Sequence, residues 1–583
     1  MPKRIIKALV GNWKPRIPKR SLPSYDDPTP ETNPKFSREE EAEAALKNTV
    51  FTRGTSALLI ALFLGTIASV PLLQFAVEWR AHRTGTSWPM LDVFKTIAPH
   101  GLTSARTPRE VWNSLPHPDQ LKGAERQLEG DSVVSQWLLP AVQGWLVGRL
   151  GAGTEQVYQG REGWLFYRPD VDYVTGPGFL TPSQLKRRGH AARIQPDPIH
   201  AILQFRDQLA ARGIELLILP APTKASLAGE KLSAQISPGT LLQNSSFSEF
   251  KKRLADAGVR VFDPAPFLAD RKANAPDTPL YLQTDTHWRP ETMEAVVHRL
   301  AASLELEPSS NGAPPLTNKE FSGLGDVARM LKLPANQSLY RPETVTIHPV
   351  VVGNGFWRPS ADADVLLLGD SFTNIFSLEG LGWGEAAGFA EQLSSSLGGR
   401  PLDLILRNSD GAFATRERLA NELARGRDRL AGKRLVIWEF AARELAFGDW
   451  KLLEMRLGQP APAHFYAPPP GAEVEATGVV EAVSSVPRPG SVPYRDHIMA
   501  VELGEVRVAG QAQTTEALRA VVYLSSMQDN VWTSAARVRP GDRVTLRLRA
   551  WSEVSAKYEQ INRSEIDDPA VQLEEPAWGE LVK

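Results

Sequence analysis

The chain contains no cysteine. That absence excludes disulfides, thiolate metal sites and a cysteine nucleophile, and it leaves the compartment open, because exported domains also go without cysteine. Charge imbalance is missing too. The 66 basic and 67 acidic residues leave a net charge of -1, so no bulk field favours nucleic acid or any other polyanion. Internal repeats are absent, which excludes solenoid and propeller architectures. What is present is a chain of 583 residues with 42% hydrophobic and 23% charged content, enough for two or three domains and a large core. Its 15 tryptophans and 46 prolines are numerous. Exposed tryptophan suits sugar faces, although core packing accounts for most tryptophans in most proteins.

One apolar run is long enough to matter by itself, Leu58 to Val77, LLIALFLGTIASVPLLQFAV. At about 20 residues it matches the hydrocarbon thickness of a bilayer, and Pro71 would kink it as membrane helices tolerate. A buried core helix is the alternative, but such a helix seldom lacks a polar stripe. A cleavable signal is disfavoured because roughly 50 residues precede the apolar run. Lys3, Arg4, Lys7, Lys14, Arg16, Lys19 and Arg20 open the chain with no acidic residue beside them. The positive-inside rule therefore puts the N-terminus in the cytoplasm, with Arg80, His82 and Arg83 opposing it from the far side. The expected organisation is a cytoplasmic tail at 1–52, a transmembrane anchor at 53–79 and a juxtamembrane connector at 80–154.

From about residue 155 strands alternate with helices. Ile214 to Leu219, Val259 to Phe262, Val365 to Leu368, Leu402 to Leu406 and Arg434 to Trp438 read as strands. Pro198 to Ala211, Ser246 to Ala257, Glu291 to Leu304 and Thr415 to Ala424 read as the helices between them. This is an α/β pattern with a mostly parallel sheet covered on both faces, and it predicts a domain at 155–455. A proline-rich linker at 456–472 leads to a β-rich domain at 473–583, with strands at Val474 to Val483, His497 to Val508, Leu518 to Leu524 and Asp542 to Ala550. A small barrel of the oligonucleotide/oligosaccharide-binding type suits that length, and a β-sandwich carbohydrate module is the rival.

One constellation carries chemistry. Val365-Leu366-Leu367-Leu368 runs into Gly369-Asp370-Ser371, a buried strand ending in small residues and then a helical pattern. Such a turn lifts a serine hydroxyl to the sheet edge and aims backbone N–H groups at a developing oxyanion. Upstream stands Asp285-Thr286-His287-Trp288. Ser371 is the candidate nucleophile, His287 its base and Asp285 the carboxylate that orients the imidazole. Asp285-x-His287 alone could also be a metal-ligand pair or a surface turn, but no second histidine or carboxylate cluster stands at metal spacing. No metal and no cofactor are expected. Trp288 reads equally as packing or as substrate contact, and His298 reads as a structural histidine on a helical face. Arg407 and Asn408, just past a neighbouring strand, are the candidate side-chain partners for an oxyanion.

These motifs, with Gln159-Gly160-Arg161-Glu162-Gly163-Trp164-Leu165-Phe166, Pro222-Thr223-Lys224, Gly325-Asp326 and Trp438-Glu439 with Arg443, give residues 155–450 a resemblance to a known group. The chain resembles the SGNH-hydrolase-like acetyltransferases of bacterial exopolysaccharide modification, the alginate O-acetyltransferase (AlgJ/AlgX-type) family. Ordinary SGNH esterases place the serine first and the Asp/His block last, whereas here the block precedes the serine, as in this family. The resemblance implies an SGNH-hydrolase-like three-layer sandwich, an acetyl donor supplied by a membrane-bound O-acyltransferase, and an acceptor polysaccharide outside the cytoplasm. Lys224 and Trp288 become candidates for substrate contact, and Glu439 with Arg443 a structural ion pair beneath the site. The β-rich end does not resemble the AlgX-type carbohydrate module, and nothing in the chain fixes alginate as the polymer. An acetylesterase of the same fold, an acetyltransferase acting on cell-wall or lipid-linked glycan, and a non-catalytic scaffold of an acetylation or export complex are the alternatives.

Overall fold

The computed structural model describes residues 52–82 and 132–582, apart from 193, 308–311, 409–410, 460–464, 491, 493, 511–517 and 567, together with isolated positions 121, 125 and 128. The described residues divide into two compact units, one ending at Val142 and one running on from Gln143. The expected tail at 1–52 lies outside the described residues except for Thr52, as does most of the connector at 80–154.

In the first unit helix α1 (Arg53–His82) carries Pro71 inside it. Its Gly54–Arg80 segment is long and apolar enough to cross a membrane. Helix α2 (Val133–Leu150) follows. Its Val147 packs in the second unit against Val157, Leu165 and Val327.

The centre of the second unit is a five-stranded sheet of β1 (Glu215–Ala221), β2 (Arg260–Val261), β3 (Val365–Gly369), β4 (Asp403–Leu406) and β5 (Leu435–Ala441). The order is β4-β3-β5-β1-β2, and every pairing is parallel. Runs such as Leu216-Leu217-Ile218-Leu219 and Leu366-Leu367-Leu368 are apolar without alternation because both faces are covered. Leu217, Leu219, Leu367 and Ile437 point into one core, and Leu216, Ile218, Leu366, Leu368 and Trp438 into the other. The first is closed by α5 (Ala265–Asn274), α6 (Pro290–Ser303) and α8 (Phe389–Ser396). Helices α3 (Pro198–Ala210), α4 (Phe247–Asp256) and α9 (Phe413–Ala424) close the second. Helix α3 shows why its start is fixed: Asp197 accepts the Ile199 N–H, and Pro198 occupies the first turn, where its missing N–H is no loss. Leu165–Tyr167 forms a separate antiparallel hairpin with Val157–Gln159 ahead of this sheet.

The C-terminal region is a barrel. Strands β6 (Val474–Val483), β7 (His497–Val508), β8 (Leu518–Gln528), β9 (Arg543–Ala550) and β10 (Pro576–Leu581) close in the cycle β6-β7-β8-β10-β9-β6. Only β8 and β10 pair in parallel within that ring. First, second, third, fifth and fourth strands thus follow one another around the wall, the order of an oligonucleotide/oligosaccharide-binding barrel rather than of a β-sandwich. Inward residues such as Val480, Val501, Leu503, Val522, Leu546 and Leu548 fill it. The stretch expected as a linker is anchored at both ends, since Met455 packs into the α/β core and Phe465 against the barrel.

Candidate active site

Strand β3 delivers Asp370 and Ser371 to the sheet edge, and α7 (Ser371–Asn374) starts there. Asp370 caps that short helix, accepting from Phe372 N at 2.8 Å and from Ala441 N at 2.8 Å. The Thr373 and Asn374 amides donate to the Asp370 carbonyl at 3.1 and 3.2 Å. The first-turn amide left over is that of Ser371, whose position in the helix gives it no intrahelical acceptor. From β5, Glu439 accepts from Asp370 N and from Thr373 Oγ1, each at 2.9 Å. Burial, then the neighbouring Asp370 charge, pushes the Glu439 carboxyl well above the usual range, and through these two bonds it braces the turn.

The Asp285-His287 block sits on a tight excursion between Leu280 and Arg289. Leu282 N donates to His287 O at 3.1 Å, and Arg289 N to Leu280 O at 3.0 Å. His287 Nδ1 lies 2.6 Å from Asp285 Oδ1, and His287 Nε2 lies 2.8 Å from Ser371 Oγ. The sequence-predicted triad is therefore one hydrogen-bonded chain, with Asp285, His287 and Ser371 at 1%, 2% and 4% exposure. Asp285 accepts four bonds: the His287 ring and backbone on one oxygen, and Asp326 N and Trp383 Nε1 at 3.0 and 2.8 Å on the other. Burial works against its charge, but those bonds and the imidazole hold the carboxyl well below the usual carboxylate range. Burial likewise lowers the His287 imidazole, and the Asp285 bond and charge more than offset this, so it ends above the ordinary 6.5.

Asp326 completes the frame, accepting from Thr286 N and Thr286 Oγ1 at 2.8 Å each. Burial, then the Asp285 charge, raises its carboxyl to about 6. Ligand atoms of Asp285, His287 and Asp326 lie within 4.8 Å of one another, close enough to raise the question of a metal. Every carboxylate oxygen of the set already receives protein N–H or O–H donors. The cluster is thus explained as a histidine-orienting frame without a cation.

Several expected roles are corrected. Lys224 is fully buried, and its ammonium donates to the carbonyls of Leu165, Gln283 and Asp285 at 2.6, 2.8 and 2.9 Å. Its three protons are used, so it clamps the backbone beneath Asp285 and offers nothing to a substrate. Burial lowers it to about 8. Trp288 is also fully buried, donating to Phe372 O at 3.1 Å and packing edge-on to Phe372. Arg407 turns to the barrel, donating to Arg563 O at 3.0 Å and facing Glu565. Glu439 and Arg443 do not pair; Arg443 Nη1 lies 3.1 Å from Asp170. Pro220, expected just past a strand, lies within β1. His298 stands outside the site, its Nδ1 3.1 Å from Ser396 Oγ.

Asn408 remains beside the nucleophile helix. Its Oδ1 accepts from Asn374 Nδ2 at 3.3 Å, and its buried Nδ2 has no protein acceptor. Trp383, Asn374 and a role for Asp326 are what sequence reasoning missed. Gly325-Asp326 was visible as a motif, whereas nothing marks Trp383, about 100 residues from the carboxylate it serves.

Residues 157–442 match the family described as "SGNH hydrolase-like domain, acetyltransferase AlgX". Among curated relatives, "Probable alginate O-acetylase AlgJ" of Pseudomonas aeruginosa is 27% identical over 33% of this chain and 45% of its own length. The Azotobacter vinelandii protein of that name is 28% identical over 24% of this chain and 34% of its own. The matched stretch thus spans less than half of either relative. Solved structures include the O-acetyltransferase domain of Pseudomonas putida AlgJ, at a TM-score of 0.36 and 21% identity, covering 50% of this chain and 92% of that one. Pseudomonas aeruginosa AlgX has a TM-score of 0.35 and 17% identity, covering 67% and 87%. With the permuted Asp/His block ahead of the serine, residues 157–442 belong to the AlgX family of SGNH hydrolase-like acetyltransferase domains.

Proposed function

We propose that this chain is a serine-dependent O-acetyltransferase that moves acetyl groups onto hydroxyls of a polysaccharide outside the cytoplasm. The observation that carries the reading is the continuous Asp285–His287–Ser371 chain, with contacts of 2.6 and 2.8 Å. His287 Nε2 takes the Ser371 proton as Oγ attacks the acetyl carbonyl. The tetrahedral oxyanion forms against the free Ser371 N–H, with the Asn408 amide as the side-chain donor candidate. Collapse breaks the bond to the donor group, which leaves with the proton from the imidazolium, and acetyl-Ser371 remains. A sugar hydroxyl, deprotonated by the same imidazole, then attacks and frees the serine. Asp285 keeps the proton on Nδ1 and stabilises the imidazolium.

Helix α1 supports a single-pass anchor in the bacterial inner membrane, and the basic opening of the chain supports a catalytic domain on the periplasmic side. The family resemblance implies a membrane-bound O-acyltransferase as the acetyl donor. The relatives' printed names make alginate the first acceptor to try.

Hydrolysis of a chromogenic acetyl ester by the purified chain, with and without oligosaccharide, separates transfer from hydrolysis. Transfer predicts acetylated oligosaccharide at the expense of free acetate. Acetate alone, unchanged by any acceptor, would favour an esterase, and an inert protein would favour a scaffold.

A further inference from the structure

A module hung on a linker would meet its neighbour through a few rim contacts. This barrel instead reaches both arms of the catalytic frame. On the nucleophile arm, Arg407 N donates to Gly369 O at 3.0 Å, which lays Arg407 and Asn408 alongside the Gly369-Asp370-Ser371 turn. Barrel residue Asn562 donates through Nδ2 to the Asn408 carbonyl. Asn374, three residues after Ser371, donates through Nδ2 both to Asn408 Oδ1 at 3.3 Å and to the barrel carbonyl of Gln560 at 3.4 Å. Arg407 Nη1 donates to Arg563 O at 3.0 Å. Asn374, Asn408 and Asn562 are at most 2% exposed, so water does not compete for these bonds.

On the carboxylate arm, Arg495 N donates to Gly380 O at 3.0 Å. A Cβ on Gly380 would stand 2.5 Å from Asp496 Oδ2, so this turn lies in close contact with the segment that leads into β7. Three residues on, Trp383 holds Asp285 through its indole N–H. Barrel residues Tyr494 and Met527 are buried in the same core as Trp288, Phe372 and Trp383.

We propose that the barrel is a positioning element of the catalytic site. Asn562 sets Asn408 and Asn374 against the nucleophile turn, while Arg495 and Asp496 set the turn that carries Trp383 behind Asp285. The inference rests on the serine reading above and assigns the barrel a role that reading does not require. Releasing one arm lets the serine drift from the imidazole, and misplacement by about an ångström is enough to cost on the order of a hundredfold in rate.

The test measures Ser371 labelling by a fluorophosphonate on the full chain in lipid nanodiscs, beside kcat and KM for an acetyl ester. Asn562→Leu, which keeps the branched shape and removes the donor, should slow labelling and kcat about tenfold or more below its melting midpoint, with KM within about twofold. Asn562→Asp should behave alike, and Glu505→Ala, in an exposed barrel ion pair, should change neither. Equal labelling of Asn562→Leu and the unmutated chain would overturn the positioning role. No labelling of the unmutated chain would instead refute the serine reading. Should both Asn562 variants fail to fold, hydrogen exchange on the unmutated chain decides. Amides of 370–374 and 497–508 should be exposed in one common opening, and a barrel that opens while 370–374 stay protected would contradict the inference.

Discussion

Buried charge is used differently at the catalytic centre and at the seam with the barrel. At the centre two buried charges are held by neutral groups: Asp285 accepts from an imidazole, an indole and two backbone amides, and Lys224 donates to three carbonyls. At the seam charges face charges. Arg407 and Arg563 meet Glu565, Arg418 meets Glu422 and Glu559, and Arg427 meets Glu422 and Glu575. A buried ion pair adds little net stability, because desolvation offsets the attraction, but an unpaired member is costly. The seam therefore suits a device that fixes register between two bodies. The centre suits one that fixes a proton.

The largest expected effect breaks the centre. Asp285→Asn should lower kcat about ten-thousandfold, since the imidazole loses the group that selects its tautomer. The same variant sharpens the electrostatics. In the unmutated chain His287 must be neutral to act as base, so activity should rise with pH through a midpoint above 6.5. Without Asp285, burial acts on the ring against only the weaker pull of the Asp326 and Asp370 charges, and the midpoint of the residual activity should move down. A pH–rate profile of both proteins checks this, and an unmoved midpoint would show that Asp285 does not govern the imidazole.

Lys224→Met tests the clamp. It leaves three buried carbonyls without their donor, and urea unfolding should show a loss of about 3–5 kcal/mol. Retained stability with raised KM would return Lys224 to the substrate. At the seam, Arg418→Ala should destabilise by about 3 kcal/mol, because Glu422 stays buried at 3% exposure with one partner fewer. Glu439→Gln should be the mildest change. Burial and the Asp370 charge already disfavour its charged form, and an amide oxygen can accept from Asp370 N and Thr373 Oγ1 as before, so kcat should stay within about threefold.

Sequence periodicity exposed much of both regions, for local reasons. Val474–Val483 and His497–Val508 have the boundaries their alternation predicts, and β3 differs by one residue, Gly369. The triad was legible because each member sits in a local motif. Lys224 misled because a motif residue just past a strand reads as a substrate contact, and only the convergence of three carbonyls from separate segments reveals a clamp. Arg407 misled for the same reason: its position beside the serine is local, but its partner Arg563 lies over 150 residues on. Trp383, Asn374 and Asn562 act through contacts that no short-range pattern encodes. The closing barrel strand, Pro576–Leu581, lies beyond a helix and a short strand and was invisible to spacing.

The central claim is an acyl group carried by Ser371. Incubating the full chain with an activated acetyl ester, quenching in acid during the first turnover and sequencing the peptides by mass spectrometry tests it directly. The account predicts one acetyl group on Ser371, absent in Ser371→Ala, whose turnover falls about a thousandfold or more. Full turnover with Ser371 unmodified, or a Ser371→Ala protein as fast as the unmutated chain, would contradict it.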